Sequence, residues 1–416
     1  MAAIIGTNGN DVLTGTGDAD TISGLGGDDI LDGSGGSDVM DGGSGDDQFF
    51  VDSPDDVTLE LQSQGYDRVW ASTSYVLTAG SFIERLTTTD HFGTAAINLT
   101  GNELAQDIYG NNGDNILDGA GGDDWMYGRL GNDIFYVASA NDRVFENSGE
   151  GYDSLVASAS YALQSGSSVE RLVAATGAAA VNLMGNELSQ DIIGNDGSNV
   201  LRGGGGDDWF TGGGGNDSYY VDSANDRVFE AAGQGFDTVY VSASFRLDPE
   251  ADIEVLSADS LGSTNPISLV GTDIAQELWG NMGGNYLDGR GGNDIIYGIG
   301  GFDTFAFTTP LGPGNIDRIY GFRGDDTILL LGDIFSSIPH GTLSPDAFTE
   351  GPAATASSHR IIYNSSTGAL LYDADGSGPG AAIPFATLDA GIDVGFEIGA
   401  ASFVITPHPG IGSWDY

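Results

Sequence analysis

Apolar residues return every nine positions at the start of this chain: Leu13, Ile22, Leu31, Met40 and Phe49. Each follows an aspartate by two residues (Asp11, Asp20, Asp29, Asp38, Asp47) and a glycine by seven (Gly6, Gly15, Gly24, Gly33, Gly42). A nine-residue period does not fit the stripe of an amphipathic helix, which repeats at 3.6. Each nonad reads instead as a six-residue glycine turn and a short strand whose eighth residue points inward. Elsewhere the runs are short, β-branched and partly alternating, which predicts strands and no long amphipathic helix.

The nonad recurs in three later blocks of four, starting at Gly101, Gly185 and Gly271. Their sixth positions run Gln, Asn, Asp, Asp: Gln106, Asn115, Asp124, Asp133; Gln190, Asn199, Asp208, Asp217; Gln276, Asn285, Asp294, Asp303. A longer unit, starting at Ser53, Ser139 and Ser223, separates the blocks and gives an overall period of about 85 residues. Such a period predicts a solenoid rather than separate globules. The expected segments are an N-terminal roll (1–52), three solenoid repeats (53–138, 139–222, 223–306) and a C-terminal region (307–416). From about Phe307 the pattern breaks, and "NIDRIYGFRGDDTILLLGDIF", "RIIYNSSTGALLYDADGSG" and "AAIPFATL" predict a short β-sandwich-like cap. The stretch "IPHGTLSPDAFTEGPAATASSH" reads as a loop.

Composition sharpens this picture. With 61 acidic and 12 basic residues among 416, the formal charge is −49, and every basic residue is an arginine. That balance disfavours nucleic acid and anionic membranes and points to divalent cations. The 68 glycines make folding entropically costly, and the absence of cysteine excludes disulfides and thiol chemistry. No apolar run approaches the roughly 18 residues of a transmembrane helix. The opening "MAAIIGTNGND" lacks the basic and apolar regions of a Sec signal peptide.

In a parallel coil of two nonads, residues eighteen apart stack about 4.8 Å from one another. Asp11, Asp29 and Asp47 then line one edge, and Asp20 and Asp38 the other. Two carboxylates at that spacing repel by about 1 kcal/mol in water and by about 3–4 kcal/mol at an effective dielectric near 20. A hard cation removes the repulsion and takes up carbonyls left free by the turns. Oxygen-only donors in flexible geometry describe calcium better than magnesium.

The pattern G-G-x-G-x-D-x-(apolar)-x resembles the RTX, or haemolysin-type, calcium-binding nonapeptide repeat. The resemblance implies an all-β fold: a parallel β-roll or β-helix solenoid with several calcium ions in its turns. It also implies ligand sets, each joining two turns one coil apart. The first would be Thr7, Gly9, Asp11, Gly24, Gly26 and Asp29. The second would be Thr16, Asp18 (by its carbonyl), Asp20, Gly33, Gly35 and Asp38. The third would be Leu25, Gly27, Asp29, Gly42, Ser44 and Asp47. In the later blocks the carry-over selects Asn115, Gly119, Gly121, Asp124, Gly128 and Asp133; Asn199, Gly203, Gly205, Asp208, Gly212, Gly214 and Asp217; and Asn285, Gly289, Gly291, Asp294, Gly298, Gly300 and Asp303. An amide in place of a carboxylate gives those blocks weaker or partly filled sites, or else side chains that simply hydrogen-bond the turn. In the tail, Asp373 and Asp375 of "DADGSG" match the first half of an EF-hand-type loop, but Pro384 stands where the glutamate belongs. That loop reads either as a metal site or as a plain turn. The tail also resembles the cap of serralysin-type secreted proteases.

The same resemblance implies leaderless type I secretion from a Gram-negative bacterium, with the end "SFVITPHPGIGSWDY" compatible with an uncleaved export signal. Calcium then acts as a staple once the chain is outside. At 1 mM calcium, a Kd near 10⁻⁴ M gives about 1.4 kcal/mol per site, so about seven sites give roughly 10 kcal/mol, comparable to a domain's stability.

No catalytic constellation is apparent. The histidines (His91, His340, His359, His408) stand apart, with no H-E-x-x-H, and there is no G-x-S-x-G elbow. Glu84, Glu170 and Glu254 recur at equivalent positions, as residues serving the coil would. Trp125 and Trp209 should face outward, to stack on sugars or a second copy, or to pack over neighbours. The expectation is a non-enzymatic structural, surface-layer, matrix or adhesion component, extracellular or on the cell surface. Its partners would be calcium, the secretion machinery during export, and further copies of itself or an extracellular glycan. The alternatives are a polysaccharide-active enzyme or accessory module, and a plain calcium buffer.

Overall fold

The computed structural model describes residues 2–389 and 398–407. It divides into two compact units, Met1–Gly212 and Gly213–Tyr416. Each is a β-solenoid of parallel, stacked short strands, and the only helical elements among the described residues are two three-residue 3-10 turns.

In the first unit, strands Ala3–Ile5, Thr21–Gly26, Val39–Ser44 and Val57–Leu59 form one parallel stack. A second runs through Val12–Thr14, Ile30–Asp32, Gln48–Val51 and Arg68–Ala71, and on to Arg143–Phe145. A third starts at Tyr75–Val76 and reaches Trp209–Thr211. The register is the two-nonad coil: Ile22 pairs with Met40 and Leu31 with Phe49, eighteen residues apart. Where a block meets a long unit the coil length changes. Phe49 pairs with Val69, and Leu86 pairs with both Val69 and Ile108, so the long unit is made of further coils of unequal length, 20, 17 and 22 residues.

The eighth position of the nonads builds the core. Ile22, Leu31, Met40 and Phe49 are fully buried, as are Ile108, Leu117, Met126 and Phe135. Each such side chain contributes about 1.5–3 kcal/mol relative to exposure. Leu13 is only half-buried, because its strand, Val12–Thr14, is the edge of its stack. Trp125 and Trp209 are 49% and 56% exposed, on the outside as their seventh position requires.

The second unit has two parallel stacks. One runs from Ser218–Val221 through Ile295–Tyr297 and Asp317–Tyr320 to Ile383–Leu388. The other runs from Phe245–Arg246 through Thr304–Phe307 and Thr327–Leu331 to Phe403–Thr406. The solenoid therefore continues past Phe307. Ile296 pairs with Ile319, and Phe305 with Ile328, at an offset of 23 rather than eighteen, so five extra turn residues conceal the period. Beyond this coil, Ala369–Tyr372 pairs antiparallel with Ile383–Leu388 and Ile361–Asn364 antiparallel with Ala369–Tyr372. The stretch read as a loop contains strands Gly341–Thr342 and Phe348–Glu350 and the turn Pro345–Ala347. The proposed export signal falls largely outside the described residues, as does His408; its start forms strand Phe403–Thr406.

Candidate metal centres

The sixth-position side chains form ladders. From the second coil on, an aspartate turns one carboxylate oxygen, Oδ1, back to accept the backbone N–H of the sixth position one coil earlier. Asp29 accepts from Asp11 at 2.8 Å, Asp38 from Asp20 at 2.7 Å and Asp47 from Asp29 at 2.6 Å. The ladder runs on into the long units, where Asp56 accepts from Asp38, Asp67 from Asp47, and Asp153 from Asp133. In the second unit Asp237 accepts from Asp217, Asp317 from Asp294 and Asp326 from Asp303.

The other oxygen is the informative one. In Asp29, Asp38, Asp47, Asp133 and Asp294 the buried Oδ2 has no hydrogen-bond partner. Leaving a buried anionic oxygen unsatisfied is expensive, and a bound cation is the direct remedy. The turn glycines leave room for it. A Cβ on Gly24 would lie 2.1 Å from Asp29 Oδ2 and 2.5 Å from the Gly42 carbonyl oxygen. One on Gly6 would lie 2.8 Å from both Asp11 Oδ2 and the Gly24 carbonyl. One on Gly15 would meet Asp20 Oδ2 at 3.2 Å and the Gly33 carbonyl at 2.4 Å. Each cradle brings together the lower aspartate of one N-terminal ligand set and the carbonyl of that set's upper first position. Asp11 and Asp20 differ from the rest: their Oδ2 atoms also accept the hydroxyls of Thr7 and Thr16, each at 2.8 Å.

Electrostatics agrees with geometry. Burial raises the Asp29 and Asp38 carboxyls above their ordinary values against the lowering effect of the backbone amides they accept. Burial also pushes Asp47 up to about 6, Asp124 to about 8 and Asp303 to about 7. Burial raises both Asp294 and Asp317; the Asp317 charge pushes Asp294 up further, while the Asp294 backbone amide and carboxyl hold Asp317 down.

The amide rungs are built differently. The Gln106 side-chain amide donates to Asn102 Oδ1 at 2.8 Å, while its oxygen accepts the Asn102 backbone N–H at 3.0 Å. Asn102 in turn donates to the carbonyls of Thr78 and Ser81. Asn115 with Asn111, Gln190 with Asn186, and Asn285 with Asn281 repeat the arrangement. The amide oxygens still face the glycine cradles; a Cβ on Gly101 would sit 2.5 Å from Gln106 Oε1 and 2.8 Å from the Gly119 carbonyl. Here a hydrogen-bonded clamp closes the turn without added charge. Asn199 belongs to the first unit, where it donates to Asn195, and Asp217 to the second. In the tail, Asp373 accepts the Asp375 N–H and Asp375 the Gly380 N–H, which closes the loop on itself.

Sequence reasoning missed one set of residues. In each long unit a buried glutamate stands seven residues before a buried aspartate: Glu60 and Asp67, Glu146 and Asp153, Glu230 and Asp237. With the last aspartate of the preceding nonad block they form the trios Asp47–Glu60–Asp67, Asp133–Glu146–Asp153 and Asp217–Glu230–Asp237. One oxygen from each member of a trio lies within 4.8 Å of the other two. Identical spacing in three copies was the available signal. The recurrent Glu84, Glu170 and Glu254 do serve the coil: they accept the backbone N–H of Asp67, Asp153 and Asp237.

Stacked parallel strands, glycine cradles and inward carboxylate oxygens define a metal-binding parallel β-roll whose donor set suits calcium. A family model of the RTX calcium-binding nonapeptide repeat matches residues 5–40, 14–49, 23–56, 100–144, 193–228, 270–305 and 315–333. The chain thus carries RTX calcium-binding nonapeptide repeats along its length, and such repeats bind calcium. No curated protein matches it.

Proposed function

We propose that this protein is a secreted β-solenoid that folds on meeting extracellular calcium and serves as a structural, matrix or adhesion component of the cell surface. The observation that carries the reading is the row of buried aspartate oxygens without hydrogen-bond partners, set against side-chain-free turn glycines. Without a cation these rungs repel; with one they become the cross-links that a cysteine-free, glycine-rich chain otherwise lacks.

On this reading the three N-terminal ligand sets carry calcium by the aspartates and turn carbonyls named above. The aspartate rungs of the later blocks bind it too, and the amide clamps of Gln106, Asn115, Gln190 and Asn285 bind it weakly or not at all. Export by the type I route fits the switch, since at submicromolar calcium the unclosed ladders leave the chain threadable. Among the described residues no helix is long and apolar enough to cross a membrane.

Electron microscopy and circular dichroism of the full chain, with 1 mM calcium and with chelator, test the proposal together. Ordered assemblies and a β spectrum that depend on calcium support it. A spectrum indifferent to the chelator removes the calcium switch, and dispersed monomers under both conditions remove the matrix role.

A further inference from the structure

At Gly6, Gly15 and Gly24 the cradle glycine faces one carboxylate oxygen and one backbone carbonyl. Gly42 departs from this. A Cβ there would lie 2.4 Å from Asp47 Oδ2 and 2.1 Å from Glu60 Oε1. The glutamate oxygen therefore occupies, beside Gly42, the place that the Gly42 carbonyl itself occupies beside Gly24. Gly128 repeats the substitution, with Asp133 Oδ2 at 2.3 Å and Glu146 Oε2 at 2.4 Å.

The cause lies in the turns. The coil from Asp47 to Asp67 spans 20 residues rather than eighteen, and so does that from Asp133 to Asp153. The glycine-rich turn is replaced by "ELQSQGYD" or "ENSGEGYD", which opens with the glutamate. A neutral donor gives way to an anionic one.

Glu60 is 3% exposed, and so is Glu146. Neither oxygen of either carboxylate has a hydrogen-bond partner, and Glu230 has one oxygen in the same state. An unpaired carboxylate this deep destabilises the fold by several kcal/mol unless something compensates its charge. Among the described residues no arginine forms an ion pair with Glu60 or Glu146, and the chain has no lysine.

We propose that Asp47–Glu60–Asp67, Asp133–Glu146–Asp153 and Asp217–Glu230–Asp237 are three further calcium sites, set at the seams between nonad blocks and long units. Oxygens bound to one calcium at about 2.3–2.6 Å lie no more than about 5 Å apart, a condition the trios meet as they stand. Three carboxylates per ion give these seams a higher formal charge than any nonad rung, so they fill at lower calcium than the rungs. Glu60, Asp67, Glu146, Asp153, Glu230 and Asp237 all fall outside the residues matched by the nonapeptide repeat.

The third seam is not equal to the other two. Tyr219 stands where the others have Phe49 and Phe135, and its hydroxyl donates to Glu230 Oε2. That bond withdraws part of the donor capacity, so the third seam is the weakest of the three.

The choice of ion rests on the calcium reading given above, and the test separates the two. Bound calcium is counted by native mass spectrometry on the full chain and on the triple variant Glu60→Gln, Glu146→Gln, Glu230→Gln; thermal unfolding is followed with calcium and with chelator. The expected result is three fewer ions per chain, a lower melting temperature in calcium, and an equal or higher one in chelator, where three unpaired buried charges have gone. Single variants should each lose one ion, and Tyr219→Phe should tighten the third site. An unchanged ion count in the triple variant overturns the seam sites while leaving the nonad rungs standing. Equal destabilisation in both conditions, with the count unchanged, makes the glutamates structural only. A wild-type chain that binds no calcium overturns both readings.

Discussion

Asp47 accepts the backbone N–H of Asp29 through Oδ1 at 2.6 Å and leaves its Oδ2 buried and unpartnered. The two oxygens of one carboxylate thus do different work: one fixes the backbone of the preceding coil, the other awaits a cation. Charge and acceptor can be removed separately.

Asp29 has the same division, accepting from Asp11. Asp29→Asn keeps an acceptor oxygen and discards the charge; Asp29→Ala discards both. In chelator the asparagine variant should match or exceed the wild type, while the alanine variant falls by about 1–3 kcal/mol for the orphaned amide. In calcium both should fall below the wild type. Urea unfolding under the two conditions measures this, and a shared loss of equal size in chelator speaks against the division.

Gly24 and Gly17 form a matched pair. A methyl group on Gly24 would enter the cradle, 2.1 Å from Asp29 Oδ2, whereas one on Gly17 would meet nothing within 4 Å. Gly24→Ala should lose an ion and destabilise the calcium-bound chain by about 1–3 kcal/mol, in the range of overpacked sites. Gly17→Ala should stay within about 0.5 kcal/mol of the wild type. Isothermal calorimetry and thermal melts read the contrast; equal behaviour of the two would mean the cradle holds nothing.

The amide clamp can be turned back into a charged rung. Gln106→Glu places a carboxylate against Asn102 Oδ1, which now receives the Gln106 amide. That variant should be less stable than the wild type in chelator and recover in calcium with a gain of one ion. Failure to recover would show that the clamp position cannot hold a cation even when charged.

Stability of the metal-free chain should depend on pH in a sense opposite to ordinary acid denaturation. Burial, with the charges of Asp67 and Asp47, raises Glu60 to about 9; burial likewise raises Asp67 to about 7, and Glu146 to about 10. Folded values above the unfolded ones near 4 mean that the folded state holds the proton more tightly. The stabilisation is complete below about pH 4 and is lost as pH rises through about 7 to 10. Dialysed, metal-free protein should therefore melt higher at pH 5 than at pH 8. Calcium should reverse the order, because it competes with those protons. A metal-free melting point that rises from pH 5 to pH 8 contradicts the assignment.

The sequence period carried the solenoid, the inward eighth position and the aspartate edges, because each nonad repeats the same local problem with the same solution. Phe49, Phe135 and Phe305 are buried as that rule demands. Coils of other lengths were not legible. Val69, Ile319 and Ile328 obey the same inward rule, but they are reached across turns two or five residues longer, where a count of nine fails. The seam glutamates were hidden for the same reason. Glu60 acts by standing in for a carbonyl, and a backbone donor leaves no letter in the sequence for a side chain to replace. The Asn102–Gln106 clamp was half legible: the amide at the sixth position was plain, while its partner at the second required the turn to be seen closed.

Every sixth-position carboxylate in the ladders reaches toward the coil of lower number, as Asp317 does to Asp294 and Asp326 to Asp303. A coil thus obtains its acceptor only from the one laid down after it. Such a design is open-ended: it can be lengthened by any number of copies, yet no copy can finish it. Termination has to come from sequence unlike the repeat, and the antiparallel strands Ile361–Asn364 and Ala369–Tyr372 supply that change of direction.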